Sequence, residues 1–175
     1  MEGTDFAFAG TTGRLAGALA FDGLDDRIDL GDVEMAGWDG LTVAAWINTT
    51  STARMRVIAK DRLGTPGNFI LRYYDAGNAW MFSAFDAAEG DWRHAELPGP
   101  ALNDGTWHHV AGVVDTRADT VRFVVDGEAV PEVPFLADTL DDSDDERLVI
   151  GADAHPTAPG AHFDGAIDEV RIYHR

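Results

Sequence analysis

Short strand-like runs, recurring about every ten residues and broken by Gly, Pro, Asn and Asp, leave this chain few folds to adopt. The runs are Leu41–Asn48, Arg56–Lys60, Asn68–Tyr74, Ala79–Phe85, Trp107–Val114, Val121–Val125, Arg147–Ile150 and Ile167–Tyr173. They are rich in β-branched and aromatic side chains, which suit a pleated, half-buried surface. No long segment carries the 3.6-residue apolar period of a helix, so the pattern predicts an all-β fold, a two-sheet antiparallel sandwich. Asp126-Gly127, between Val121–Val125 and Glu128–Val133, predicts a two-residue hairpin, because Asp-Gly accepts the left-handed backbone of a type I′ turn. Asp138–Glu146 predicts an acidic surface loop. No linker divides the sequence, and 175 residues at 45% hydrophobic content are enough for one core, so residues 1–175 are expected to form a single domain.

Charge narrows the choice of partners. There are 31 acidic residues against 13 basic ones, a formal net charge of −18, and Lys60 is the only lysine. Such a surface repels nucleic acid and anionic membranes, since binding polyphosphate requires a basic face. No apolar run approaches the roughly 20 residues of a membrane-crossing helix, so no membrane insertion is expected. With no cysteine, disulfides, thiolate nucleophiles and Cys-based zinc sites are excluded. Met1–Asp5 lacks the basic and apolar regions of a signal peptide, which leaves either no export by that route or a mature or trimmed chain. Carboxylates in excess with almost no lysine are the balance of a protein adapted to molar salt, the competing explanation being an arginine-rich mesophile.

Four segments, in order, resemble the laminin-G-like (concanavalin A-like) jelly-roll modules of extracellular proteins. They are Gly17-Ala-Leu-Ala-Phe-Asp-Gly-Leu-Asp-Asp-Arg-Ile-Asp-Leu30; Leu41-Thr-Val-Ala-Ala-Trp-Ile47; Asp104-Gly-Thr-Trp-His-His-Val-Ala111 with Val121–Gly127; and Leu148-Val-Ile-Gly151 with Phe163-Asp-Gly-Ala-Ile-Asp-Glu-Val-Arg-Ile-Tyr173. The resemblance implies a jelly roll that serves in recognition or adhesion without catalysis, often with a calcium ion near the paired chain ends. Such modules usually open with a further strand, and only Met1–Thr12 precedes the first motif here. The edge beside the C-terminal strand is therefore expected to be open or covered by an assembly partner.

The chemistry follows from this frame. Retaining glucanases of the same fold need two carboxylates about 5 Å apart; their Glu-x-Asp-x-x-Glu pattern is missing, so no enzyme is expected. His108 and His109, adjacent on a strand, point to opposite faces and are expected to pack rather than share a metal. Alternation in Ile167–Tyr173 puts Asp168 on the face of Val170 and Ile172, and a buried carboxylate needs a partner or a cation. By resemblance to glucanase jelly rolls, Asp22, Asp168 and the Gly23 carbonyl are the candidate Ca²⁺ ligands, a hard oxygen set; the bland reading is a salt bridge to Arg27 or Arg171, or a capped turn. Trp80 and Trp92, near Tyr74 and Arg72, are candidate ligand-binding residues that could stack on and hydrogen-bond to a sugar. The alternative for each aromatic is a place in the core or in a protein interface.

These features lead to a calcium-stabilised module on an exterior surface that binds a glycan or a surface protein. The alternative is a decorating component of a virion, pilus or surface layer. The charge also makes a prediction. At 0.01 M salt, where screening reaches about 30 Å, self-repulsion opposes the compact state. The melting temperature is expected to rise between 0.05 and 3 M NaCl; an unchanged value would contradict adaptation to salt.

Overall fold

The sequence's apolar runs become strands whose alternate side chains meet across the middle of a sandwich. The computed structural model describes residues 11–14, 17–61, 67–140, 147–153 and 160–174. Its strands are β1 (Thr11–Thr12), β2 (Gly17–Asp22), β3 (Ile28–Asp32), β4 (Gly40–Asn48), β5 (Met55–Lys60), β6 (Phe69–Tyr74) and β7 (Ala79–Asp86). They continue with β8 (Asp91–Pro98), β9 (His108–Asp115), β10 (Thr120–Val125), β11 (Glu128–Ala129), β12 (Val133–Pro134), β13 (Arg147–Ile150) and β14 (Asp164–His174). One sheet runs β1-β2-β14-β4-β9-β10-β11, with β12 also against β10; the other runs β3-β13-β5-β6-β7-β8. Every pairing is antiparallel, the expected two-sheet architecture. Among the described residues no helix is long and apolar enough to cross a membrane.

All eight predicted runs are strands. β8 was not among them, because Asp-Trp-Arg-His-Ala-Glu-Leu-Pro lacks the β-branched residues that mark a strand in sequence. The acidic loop expected at Asp138–Glu146 lies, from 141 onward, outside the described residues. Between the sheets, Val43, Ala45 and Ile47 of β4, Val110 and Val114 of β9 and Phe123 of β10 meet Phe69, Leu71 and Tyr73 of β6 and Trp80, Phe82 and Ala84 of β7. Lys60 is also enclosed. Its Nζ lies 3.4 Å from Asp32 Oδ1, and the side chain has no exposed surface, so the chain's one lysine contributes nothing to its outer charge.

The Asp126-Gly127 turn closes the β10–β11 hairpin with φ of 50° and 90° and Val125 opposite Glu128, the geometry expected of a type I′ turn. The Asp126 carboxylate then clips the turn to β9. Oδ1 accepts the His109 N–H and Oδ2 lies 2.8 Å from His108 Nδ1. Partial burial works against the imidazolium of His108, but hydrogen bonds to Asp126 and Asp104 outweigh it and raise the ring's pKa. His109 instead packs edge-on against Trp46, with ring centroids 5.3 Å apart. The two histidines thus have separate structural partners.

Two details of the C-terminal strand bear on expectation: its edge is open in part, one of the two expected states, and its alternation differs. β2 pairs with β14 only over Asp164–Ile167, so among the described residues no strand lies against the outer edge of 169–174. A β-bulge between Asp168 and Arg171, with Glu169 at φ 49°, also resets the alternation of β14. Asp168 therefore lies opposite Trp46, on the outside of its sheet, whereas Ile172 lies opposite the core residue Val43. The expectation that Asp168 shares the face of Ile172 is corrected by that bulge.

Candidate ligand-binding face

The middle of the six-stranded sheet is buried on both sides, while its edge strands β3 and β8 keep exposed residues. No residue of β5 or β7 is exposed, although each strand directs only half its side chains into the core. Cross-strand register assigns the rows of the outer face. Tyr74 lies opposite Ala79; Arg56, Arg72, Met81 and Glu96 form the next row; Ala59, Ile70, Ser83 and His94 follow; and Phe85 lies opposite Trp92. Of the expected ligand-binding residues, Arg72, Tyr74 and Trp92 are thus on one face. Trp92 stands four residues from the Arg72 row, about 13 Å along the strand.

Trp80 is elsewhere. It pairs with Tyr73 on the inner side, has 0% of its surface exposed and donates its indole N–H to Asn103 Oδ1 at 2.6 Å. A side chain enclosed in the core cannot stack on a sugar, so Trp80 is corrected to a packing residue.

Three arginines converge at one end of the outer face. The guanidinium groups of Arg54 and Arg72 each lie 5.1 Å from the Tyr74 ring centroid, so the ring supports cations through its electron-rich face. Arg54 is held by Asp75 at 3.0 Å. Arg56, 7% exposed, donates from Nη1 to Asp61 Oδ2 at 2.5 Å, and Asp61 is itself 6% exposed. No carboxylate lies within ion-pair distance of Arg72 among the described residues. Burial first, then the charge of Arg56, lowers the pKa of Arg72. Three buried polar atoms on this face have no hydrogen-bond partner: Nε of Arg56, Nε of Arg72 and Oδ1 of Asp61.

The chain closes over the far end at Gly67. A Cβ added there would fall 2.7 Å from Asp61 Cβ and 3.1 Å from the Trp92 ring, so only glycine lets the backbone pass between them. Asp61 thereby sits between the arginines and Trp92. His94 Nδ1 lies 2.8 Å from Ser83 Oγ, and burial, followed by the Arg72 charge, lowers its pKa and favours the neutral ring. Arg56, Asp61, Ser83 and His94 escaped the sequence reading. The signal available for Arg56 was a cation embedded in an otherwise apolar strand, Met-Arg-Val-Ile-Ala.

The expected calcium ligands are not brought together. Asp22 lies opposite Asp164, four residues along β14 from Asp168 and hence about 13 Å away. Asp168, 9% exposed, accepts the Arg14 N–H with Oδ2 and the Glu169 N–H with Oδ1, both at 2.8 Å. Its charge is therefore used to fix the bulge and to hold the segment before β2. Asp22 instead gathers with Asp25 and Asp26, each offering an oxygen within 4.8 Å of the others. Part of that set already serves the loop, since Asp22 Oδ1 accepts the Leu24 N–H and Asp26 Oδ2 the Asp22 N–H. The Gly23 N–H donates to the Phe163 carbonyl and secures the same turn. An all-carboxylate set suits Ca²⁺ in kind. Beside it, a recess of about 460 Å³ is lined by Thr12, Asn48, Thr50, Trp107 and Asp164.

Comparison with known proteins places this geometry in context. A family model described as the concanavalin A-like lectin/glucanases superfamily matches residues 21–175. A comparison with curated proteins finds no match. Domains LG4-5 of the mouse laminin alpha1 chain superpose with a TM-score of 0.68 at 21% identity, covering 94% of this chain and 44% of that one. The chain thus spans less than half of that two-domain fragment. The CBM40 of Ruminococcus gnavus IT-sialidase, solved bound to α2,3 sialyllactose, gives 0.63 at 16% identity, covering 85% of this chain and 90% of that one. A heptameric SAP-like pentraxin from Limulus polyphemus gives 0.62 at 13% identity, covering 87% and 73%.

Proposed function

Because the chain belongs to the concanavalin A-like lectin/glucanase superfamily, we propose that it is a non-catalytic glycan-recognition module of an exterior surface. The outer face of β5–β8 receives the sugar. The observation that carries this reading is a set of partly exposed groups on one sheet face, the rings of Tyr74 and Trp92 and the guanidinium of Arg72, which has no ion-pair partner among the described residues. Beneath them Arg72 Nε, Arg56 Nε and Asp61 Oδ1 are enclosed without hydrogen-bond partners, which marks the polar layer under Arg72 as under-satisfied. Aromatic faces and fixed donors are what a hydroxyl-rich ring requires. Of the carboxylates on this face, Asp61 is enclosed and paired with Arg56, while Glu96 is exposed, two strands from Arg72 in the same row; the acid pair of a retaining glycosidase is instead two carboxylates about 5 Å apart. A neighbour of the same fold, the CBM40 of IT-sialidase, is bound to sialyllactose.

A glycan array followed by calorimetry tests this. Trp92→Ala is expected to weaken glycan binding while leaving the fold nearly intact. Trp80→Ala is expected to cost about 3–5 kcal/mol of stability, as removal of an enclosed Trp does. Binding to no glycan, or binding indifferent to Trp92→Ala, would overturn the assignment of this face.

We also propose that Ca²⁺ stabilises the module through Asp22, Asp25 and Asp26 rather than through Asp168. An ion bound only by the folded state adds about 2.7 kcal/mol at a hundredfold excess over its dissociation constant. Chelation is expected to lower the melting temperature of the parent, and Asp22→Asn to abolish that response. Asp168→Asn, which turns an amide NH₂ or a weaker acceptor towards two backbone donors, is expected to cost about 1–3 kcal/mol with the calcium response intact. A parent indifferent to chelator would remove calcium from the account.

A further inference from the structure

Resting on the assignment of the β5–β8 face to glycans, we propose that this face selects sugars bearing a carboxylate, which the partly exposed guanidinium of Arg72 holds beside the ring of Tyr74. The first ground is charge. In a chain of net charge −18 with only 13 basic residues, Arg54, Arg56 and Arg72 gather on one sheet face. Arg54 and Arg56 are matched by Asp75 and Asp61. Arg72 is left as a positive group without an ion-pair partner among the described residues.

The second ground is position. Arg56 and Arg72 are directly opposite each other on neighbouring strands, and like charges so placed oppose strand pairing. Asp61 pairs with Arg56 and offsets only part of the Arg72 charge, and a largely buried cation needs a counter-charge. An anion arriving at Arg72 supplies it.

The third ground is the chemistry of the reachable groups. Arg56 Nε, Arg72 Nε and Asp61 Oδ1 are enclosed, so contact with a ligand falls to the partly exposed side chains of Arg72, Tyr74 and Trp92. A neutral sugar offers the rings a stacking face but brings no charge to the guanidinium. A simple anion does the reverse. A uronic or related acidic sugar carries both on one ring. The planar guanidinium edge matches the planar carboxylate through two parallel N–H donors. His94, held towards its neutral form and in contact with Ser83, adds no competing charge.

Calorimetry with four probes tests the proposal: trigalacturonate, its fully methyl-esterified counterpart, sialyllactose and a sulfated galactose oligomer. The expected result is that trigalacturonate or sialyllactose binds about tenfold or more tightly than the ester, in line with the greater strength of charge-assisted hydrogen bonds. Arg72→Gln should remove that preference, and Arg72→Lys should restore only part of it, because an ammonium lacks the two-pronged edge. Should Arg72→Gln fail to fold, phenylglyoxal modification of Arg72 in the parent protein replaces it, and is expected to be blocked by trigalacturonate but not by the ester. Equal binding of acid and ester, or arginine protection by the ester, overturns the selectivity while leaving glycan recognition standing. Preference for the sulfated probe over both carboxylates overturns the choice of anion. Absence of binding to any glycan, these probes included, overturns the glycan assignment and this proposal together.

Discussion

A sheet with both faces closed off from water can be filled with hydrocarbon on only one side if the other is to bind anything polar. β5, β6 and β7 meet that constraint. Their inner positions supply Phe69, Leu71, Tyr73, Trp80 and Phe82 to the interior. Their outer positions place Arg56, Arg72 and Ser83 in a largely dry layer, with Asp61 at the end of β5. The neighbouring features follow from keeping charges there. Arg56 must have Asp61, Asp61 must have the close pass at Gly67, and the Tyr74 ring sits against the guanidinium that has no acid. Local features that cost stability while the rest of a structure is well satisfied are where function is to be sought.

The architecture was legible in the sequence because eight runs carry the composition and punctuation of strands. The site was only partly so. A strand buried on both faces shows no apolar–polar alternation, so parity could not be read from Ala79–Asp86 or Phe69–Tyr74. One position of parity separates Tyr73 from Tyr74 and puts Trp80 in the core while Arg72 faces outward. Asp168 misled for a different reason. The bulge beside it uses Glu169 rather than glycine in the left-handed region, and an ordinary residue there gives no warning. Asp22 was recognised, but Asp25 and Asp26, two and three residues after Gly23, turned out to be its neighbours instead of Asp168.

The distribution of charge gives the module two unlike regions. The acidic excess covers most of the molecule, and Lys60 is enclosed, so the exposed cations among the described residues are arginines and whatever histidines are protonated. The loop of Asp22, Asp25 and Asp26 is suited to a hard cation. The β5–β8 face holds donors in a layer where screening by salt is weak. A partly buried ion contact keeps its strength at ionic strengths that erase surface attraction, which fits recognition of an acidic sugar by an acidic protein.

The ¹H–¹⁵N signals of the arginine Nε–H groups report most directly on the central claim, that the ligand is gripped by the guanidinium of Arg72 on the β5–β8 face. The account predicts that trigalacturonate shifts the Arg72 resonance downfield and slows its exchange with water, whereas the methyl ester leaves it nearly unmoved. Shifts confined to residues around Trp107 and Asp164, with Arg72 unchanged, would contradict it.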